Sequence, residues 1–491
     1  MTAPDAASPP EPKNSGTSAP PAPVLDPPAP FRWAHLRIDP VTTKRLLKLA
    51  LPVIFAMSTQ MLIGIIDEIM VNHIDGGGPR GQAAGAALGL AVPVLWLMGG
   101  FVAAVSVGTQ ALTARRFGEQ DEHAAGKVLT NSLVLALIAG GSMAVIAFFT
   151  AAPIFETMHD NPLVHQFGTE YTQLRALSII GWVATFSYKS FFDGLGKTHV
   201  HLIAAMNMAV VNIGLNFFLV YGLWFFPRLE VFGAGLGSTV GTFTGCAVMI
   251  LWSLKRKHRD RFQYYRMSNF DWKTVWAIAR LSLPAGVASV AVMSGFIILL
   301  AIGAQLDSAH SAANSNAAQI IVAVVEGGVF IPCLAFGTAT ATLVSQSLGA
   351  KDPQLAKRYV YEAVKLGTLV FGVVGLIIML APQLVMGIWT RNAETLNTGL
   401  NALRMMGAFV LAIPAALIFP QALLGAGNTK FVMVVELLLH FGLLVPLALI
   451  FANVLGWGMI GLWLSIGVYL TSLAVVMGLK FREGKWQYIQ I

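Results

Sequence analysis

The chain reads as an all-α polytopic membrane protein, with twelve transmembrane helices in two six-helix parallel repeats around a central cavity. Three observations predict this. Only 11% of its 491 residues are charged and 56% are hydrophobic, whereas an ordinary soluble protein is roughly a quarter charged. Its apolar runs are long and continuous, near the roughly 20 residues that cross a bilayer as helix, and do not alternate as barrel strands would. Finally, sequence fragments from the first half recur in the second at a nearly constant spacing. So little charge could not cover a water-exposed surface, which excludes a soluble enzyme and a disordered scaffold together.

Residues 1–40 are rich in Pro, Ala and Ser, a composition that cannot bury enough apolar area to offset its ordering entropy. They are expected to form a disordered cytoplasmic tail, and no cleavable signal peptide is expected there. The spans follow at 46–74, 83–112, 126–150, 169–193, 199–222, 232–254, 274–304, 315–347, 361–388, 399–424, 431–453 and 458–480. Cys246 and Cys333 lie inside apolar runs and read as packing residues.

Loop charge sets the expected orientation. Arg115, Arg116 and Lys127 follow the second span, Lys197 the fourth, and Lys255, Arg256, Lys257, Arg259, Arg261 and Arg266 the sixth. Lys351, Lys357 and Arg358 follow the eighth, Lys430 the tenth, and Lys480, Arg482 and Lys485 the twelfth. The intervening loops hold little beyond Arg80, Arg228 and Arg391. The positive-inside rule then places both termini in the cytoplasm, with the chain in the plasma (inner) membrane. The formal charge of +8 is explained by these short loops and does not read as nucleic-acid binding.

The repeat is explicit. LALP at 49–52 recurs as LSLP at 281–284, and TQALTARRFGEQD at 109–121 recurs as TATLVSQSLGAKD at 340–352. Gly118 and Gly349 are 231 residues apart (349 − 118), as are Gly194 and Gly425 (425 − 194), while Pro52 and Pro284 are 232 apart (284 − 52). Six helices is an even number, so each repeat enters and leaves on one side, and the two are parallel, related by an axis along the membrane normal. The expected organisation is a six-helix lobe over 41–254, a basic cytoplasmic linker over 255–273, a second lobe over 274–482 and a short cytoplasmic tail over 483–491. Substrate sites in repeat-built transporters lie at the repeat interface.

On these motifs the sequence resembles the multidrug and toxic compound extrusion (MATE) family over about residues 41–482. The first span, LPVIFAMSTQMLIGIIDEIMV, is similar to the family's order of LP, then Gln, then Asp seven residues later. GTQALTARRFGEQD and TATLVSQSLGAKD resemble its paired turns, and DGLGKT and LGAGNT its Gly-x-Gly turns. The resemblance implies secondary active efflux of organic cations and other amphipaths by proton or sodium antiport, with no cofactor. Two departures leave the coupling ion open. One branch of the family carries a second Asp on helix 5, four residues after an Asn; here Asn212 is followed by Asn216. Another branch has acids on helices 7 and 10, and here neither span holds one.

A charge within a span costs about 2.5–3.5 kcal/mol on insertion scales, so each one is a functional candidate. Asp67 leads, because Gln60, Gly64 and Asp67 share one face of the first helix at i, i+4 and i+7. A carboxylate there can hold a proton, a sodium ion or a cationic drug, but only one at a time, as an antiporter requires. Glu68 points about 100° away, toward the headgroups or a neighbouring helix. Asn212, Asn216 and Ser238 are expected as polar companions, or as interhelical glue. Glu326, before the pair Gly327 and Gly328, aligns with Leu95 in the first half and is a second candidate for a proton or sodium ion. Glu436 and His440 are one turn apart and can relay protons or hold a static hydrogen bond. Lys189 and Asp193 read as a local i, i+4 ion pair.

No Walker-type loop, HExxH, CxxC or nucleophile-elbow pattern is present in the sequence, so enzymatic chemistry and a resident metal are not expected. The 19 Met and 29 Phe can form an adaptable apolar pocket or simply face lipid. The function expected is multidrug export, with small organic cations or amphipaths and the bilayer as partners and no obligatory protein partner. The rivals are a lipid or lipid-linked glycan flippase of related architecture and a membrane-embedded transferase.

Overall fold

The computed structural model describes residues 38–306 and 311–491; most of the expected Pro-rich tail lies outside the described residues. The long helices are α1 (Pro40–Asn72), α2 (Pro79–Gly118), α3 (Glu122–Met158), α4 (Pro162–Gly194), α5 (His199–Tyr221) and α6 (Glu230–Ser253). The second half adds α7 (Trp272–Gly303), α8 (Ala313–Gly349), α9 (Pro353–Leu380), α10 (Ala393–Gly425), α11 (Thr429–Val454) and α12 (Gly458–Glu483). Among the described residues, eleven of these helices are long and apolar enough to cross a membrane. The twelfth, α4, is 33 residues long but carries His165, Glu170, Arg175, Lys189 and Asp193. The protein is a multi-pass membrane protein.

Capping explains where helices begin. Side-chain oxygens of Asp39, Asp121, Asn161, Asp271, Asp352 and Asn392 accept from the backbone N–H of Val41 (3.3 Å), Ala124 (2.8 Å), Leu163 (2.9 Å), Lys273 (3.0 Å), Leu355 (2.9 Å) and Thr395 (3.1 Å). These caps repeat: Asp121/Asp352 and Asn161/Asn392 are 231 apart (352 − 121, 392 − 161), and Asp39/Asp271 are 232 apart (271 − 39). The residues before the caps of α3 and α9, Gln120 and Lys351, both take a left-handed turn, with φ of 64° and 61°.

The ninth span departs most from expectation. It was expected over 361–388 but begins at the Asp352 cap and stops at Leu380. Ala381 leaves the helical region (φ −130°, ψ 51°), and Pro382 opens a separate short helix, Pro382–Gly387, because proline cannot supply the N–H that would continue α9. Two helices contain π-turns: Glu326–Phe330 in α8, and His440–Leu444 and Ile450–Val454 in α11.

The linker does not hang free. Phe262 and Tyr264 are buried with Tyr188, Phe191 and Phe192 of α4. Asn131 of α3 donates to the Asn269 carbonyl (2.9 Å) and accepts from the Asp271 N–H (2.9 Å).

The hydrogen bonds between the halves gather toward the face that carries both described ends. Glu362 of α9 accepts from the Asp39 N–H (2.8 Å) and the Thr43 hydroxyl (3.1 Å). Gln110 of α2 donates to the Thr338 carbonyl (3.0 Å) and the Thr342 hydroxyl (2.8 Å) of α8, and Gln346 of α8 donates to the Gly194 carbonyl (2.7 Å). At the crossing of α2 and α8, a Cβ on Gly118 would lie 2.2 Å from the Gln346 carbonyl oxygen, and one on Gly349 would lie 2.2 Å from that of Arg115. Arg115 and Gln346 are themselves 231 apart (346 − 115), so each repeat's glycine admits the other repeat's backbone.

Candidate functional site in the first half

α1, α4, α5 and α6 pack together and bring four of the expected polar residues to one point. Asp67 is 7% exposed. Its Oδ1 accepts from Asn216 Nδ2 at 2.6 Å, and its Oδ2 accepts from the Ser238 hydroxyl at 3.0 Å and from Asn212 Nδ2 at 3.4 Å. Asn212 Nδ2 also donates to Ser238 Oγ at 2.9 Å. The close approach of α5 and α6 depends on glycine: a Cβ on Gly237 would sit 2.0 Å from Asn216 Oδ1, and one on Gly241 3.0 Å from the Asn212 Cβ.

The carboxylate is satisfied, but the amide groups that serve it are not. Three donors serve the carboxylate, yet Asn212 Oδ1 and Asn216 Oδ1 are buried without partners. Carbonyl oxygens of this kind can accept from a protonated carboxyl or ligate a hard cation, so Asp67, Asn212, Asn216 and Ser238 form an all-oxygen set suited to a proton or sodium ion.

Two residues absent from the sequence expectation complete the surroundings. Arg175 of α4 donates from Nη1 to the Thr242 hydroxyl at 3.3 Å, and its buried Nε has no partner. It lies near enough to act electrostatically on Asp67 and Tyr171. Tyr171 is buried, and its ring packs against α6, where a Cβ on Gly235 would lie 3.3 Å from it. Arg175 falls inside the expected fourth span, and the insertion-cost argument that singles out Asp67 applies to it equally.

The other expected residues stand apart. Gln60 is half-buried and makes no hydrogen bond among the described residues, and Gly64 faces open space rather than a close neighbour. Glu68 is exposed and has no partner among the described residues. It shares an α1 face with Met61, whose Cε would lie 2.8 Å from a Cβ on Gly327 of α8. Glu326, next to Gly327, is likewise exposed and unpartnered among the described residues.

On α11, His440 is buried, its Nδ1 lies 2.9 Å from the Glu436 carbonyl oxygen, and its ring centroid is 4.4 Å from that of Tyr469. A carbonyl only accepts, so Nδ1 carries the hydrogen of this bond. Lys189 and Asp193 form the expected local pair at 2.9 Å. Among the described residues no cluster of three His, Cys, Asp or Glu could hold a metal. Two surface hollows of about 510 and 500 Å³, lined by residues such as Lys44, Arg45 and Gln346, open near the end-bearing face and hold none of these site residues.

The MatE family profile matches residues 52–218 and again 284–450. The chain belongs to the MatE family. The two matches start 232 residues apart (284 − 52), in register with the repeated caps. Among similar MatE-type proteins, the probable multidrug resistance protein NorM of Thermotoga maritima is 23% identical over 457 residues, covering 91% of this chain and 94% of that protein. The multidrug resistance protein NorM of Burkholderia vietnamiensis is 26% identical over 448 residues, covering 89% and 92%. An outward-facing structure of a multidrug resistance MATE family transporter superposes with a TM-score of 0.82 at 21% identity, covering 93% of this chain and 98% of that one. A MOP-superfamily transporter from Pyrococcus furiosus superposes with a TM-score of 0.82 at 22% identity, covering 93% and 98%. At such identities the structural likeness establishes the fold alone.

Proposed function

We propose that this MatE protein is a secondary active multidrug exporter, not an enzyme, that moves cationic and amphipathic small molecules by proton or sodium antiport with alternating access of its two halves. Family membership and the NorM relatives, named as multidrug resistance proteins, support export. The observation that carries the coupling is the Asp67 cluster, in which a buried carboxylate accepts from three donors while the amide oxygens of two of those donors have no partner among the described residues.

In the ionised state Asp67 is held by Asn212, Asn216 and Ser238. On protonation the Asn212 or Asn216 amide turns over so that its Oδ1 accepts from the Asp67 carboxyl, and the same turned oxygens ligate a sodium ion. Occupancy by either ion neutralises the carboxylate and removes the attraction that holds a cationic substrate, so ion and substrate exclude one another. Gln60 and Gly64 continue the Asp67 face of α1 and form the approach to it. Glu68 and Glu326 are accessory cation-binding groups, and His440, held at Nδ1 by the Glu436 backbone carbonyl, is a secondary proton-binding group in the second half. The end-bearing face, with its basic loops, is cytoplasmic in the inner membrane. A one-for-one exchange of a monovalent cation for a proton or sodium ion moves no net charge, so the ion's own concentration gradient drives it, with about 1.4 kcal/mol for each tenfold.

The test is efflux of a fluorescent lipophilic cation from proteoliposomes, first under a proton gradient in sodium-free buffer, then under a sodium gradient at matched pH. Transport under one gradient alone names the ion. The Asp67→Asn variant should insert and fold but lose ion-driven efflux; full efflux in that variant would overturn the assignment.

A further inference from the structure

Arg175 is a second intramembrane charge whose chemistry the antiport cycle does not use. A guanidinium has five N–H donors in a rigid planar fork. Here the fork makes one hydrogen bond, to Thr242 on α6, and Nε is buried without a partner. Arg175 bonds Thr242, and Asp67 bonds Ser238 on the same helix, yet no ion pair within 4.0 Å joins Arg175 and Asp67 among the described residues. The carboxylate is instead held by the neutral donors of Asn212, Asn216 and Ser238.

The two charges are tied to neighbouring positions of a common frame on α6. Ser238, which contacts Asp67, and Thr242, which contacts Arg175, are i and i+4 on α6, and the Thr242 hydroxyl donates to the Ser238 carbonyl at 2.9 Å. One helical turn separates their levels by about 5.4 Å. A positive and a negative group tied to one frame, not consumed by each other, make a dipolar site.

We propose that Arg175 is a specificity-determining residue that fits the Asp67 pocket to zwitterionic amphipaths, which present an ammonium to Asp67 and a carboxylate to the guanidinium fork, in preference to simple cations. This refines the substrate class of the exporter reading and rests on it. A lone cation meets Arg175 as an unfavourable like charge in a desolvated setting. A carboxylate on the same ligand turns that repulsion into a charge-assisted, two-pronged contact.

The experiment uses a matched dye pair, tetramethylrhodamine with a free ring carboxylate and its methyl ester, which differ in that one charge. Binding to the purified full chain in detergent is read by fluorescence anisotropy, and export is read separately in proteoliposomes. The wild-type chain should bind the free acid about tenfold more tightly than the ester, a difference of about 1.4 kcal/mol. Arg175→Gln should abolish or invert that ratio. Arg175→Lys, which keeps the charge but loses the fork, should retain the direction at a severalfold smaller ratio, and decides the matter if the Gln variant fails to fold. An equal wild-type affinity for both dyes, or a ratio unmoved in the folded variants, overturns the inference. A wild-type binding preference with no export of either dye under either gradient overturns the exporter reading and leaves the dipolar site standing.

Discussion

Asp67 shows how much a single buried charge organises around itself. Its three donors come from two other helices, and Asn216 holds it most closely, at 2.6 Å against 3.4 Å for Asn212. Hydrogen bonds to a charged group contribute about 1.5–3 kcal/mol. Asn216→Ala should therefore reduce ion-driven efflux about tenfold or more, with Asn212→Ala costing less, both measured as initial rates in proteoliposomes at matched protein content. The reverse order would mean that the shorter contact is not the one that matters. Much of this cluster is legible in the sequence, because Asp67, Asn212, Asn216 and Ser238 are polar groups stranded in apolar runs. What the sequence leaves open is the direction each one faces. Gln60 shares the Asp67 face at the right spacing but joins no hydrogen bond among the described residues, while Tyr171 and Arg175, 104 and 108 residues further along the chain (171 − 67, 175 − 67), pack against the α6 helix that carries Ser238.

At the scale of elements, the repeat is carried by helix starts as much as by apolar spans. Asp121 and Asp352 cap equivalent helices at 2.8 and 2.9 Å, so Asp121→Ala and Asp352→Ala should each cost about 1 kcal/mol. Thermal unfolding in detergent should show similar losses for the two, and a loss confined to one would argue against their equivalence. The linker helix, Arg256–Phe262, contains His258, whose Nδ1 accepts from Lys197 Nζ at 3.1 Å. Burial first, then the positive charges of Lys197, Lys255, Lys257 and Arg261, hold the His258 imidazole down to about 4. Between that value and its ordinary value of 6.5, the unfolded chain binds a proton that the folded chain does not. Stability should therefore rise with pH across this window. His258→Asn should flatten that rise in a pH series of melting temperatures, and an unchanged slope would remove His258 as its source.

Across the whole molecule, the halves are fastened near one face and the tail after α12 adds to that fastening. The Trp486 ring is buried and stacks on Phe481 with centroids 4.6 Å apart. The Ile489 and Ile491 carbonyl oxygens accept from Arg115 and Arg116, each at 3.4 Å. Ile491 also packs beside Val105, Leu112 and Val128 of the first half and Ile278 and Leu281 of the second. Removing residues 485–491 should shift the population toward states open on this face. Spin labels at His123 and Gln354, exposed positions 231 apart (354 − 123), should then give longer distances by double electron–electron resonance. An unchanged distribution would mean that the tail only decorates the closed face.

The amino-acid sequence by itself determined the membrane class, the number of spans, the repeat and the Asp67 candidate. Each of these follows from composition, run length or the cost of charge in an apolar stretch, all properties of local chain segments. Only the tertiary structure decided that α4 places Arg175 beside Asp67, that two amide oxygens are left without donors, and that the linker and tail dock on the helices. Those facts depend on helix rotation and on which faces meet. Small residues such as Gly118, Gly237 and Gly349 permit such meetings, but periodicity leaves the partner unspecified, because lipid and a neighbouring helix are equally apolar surroundings.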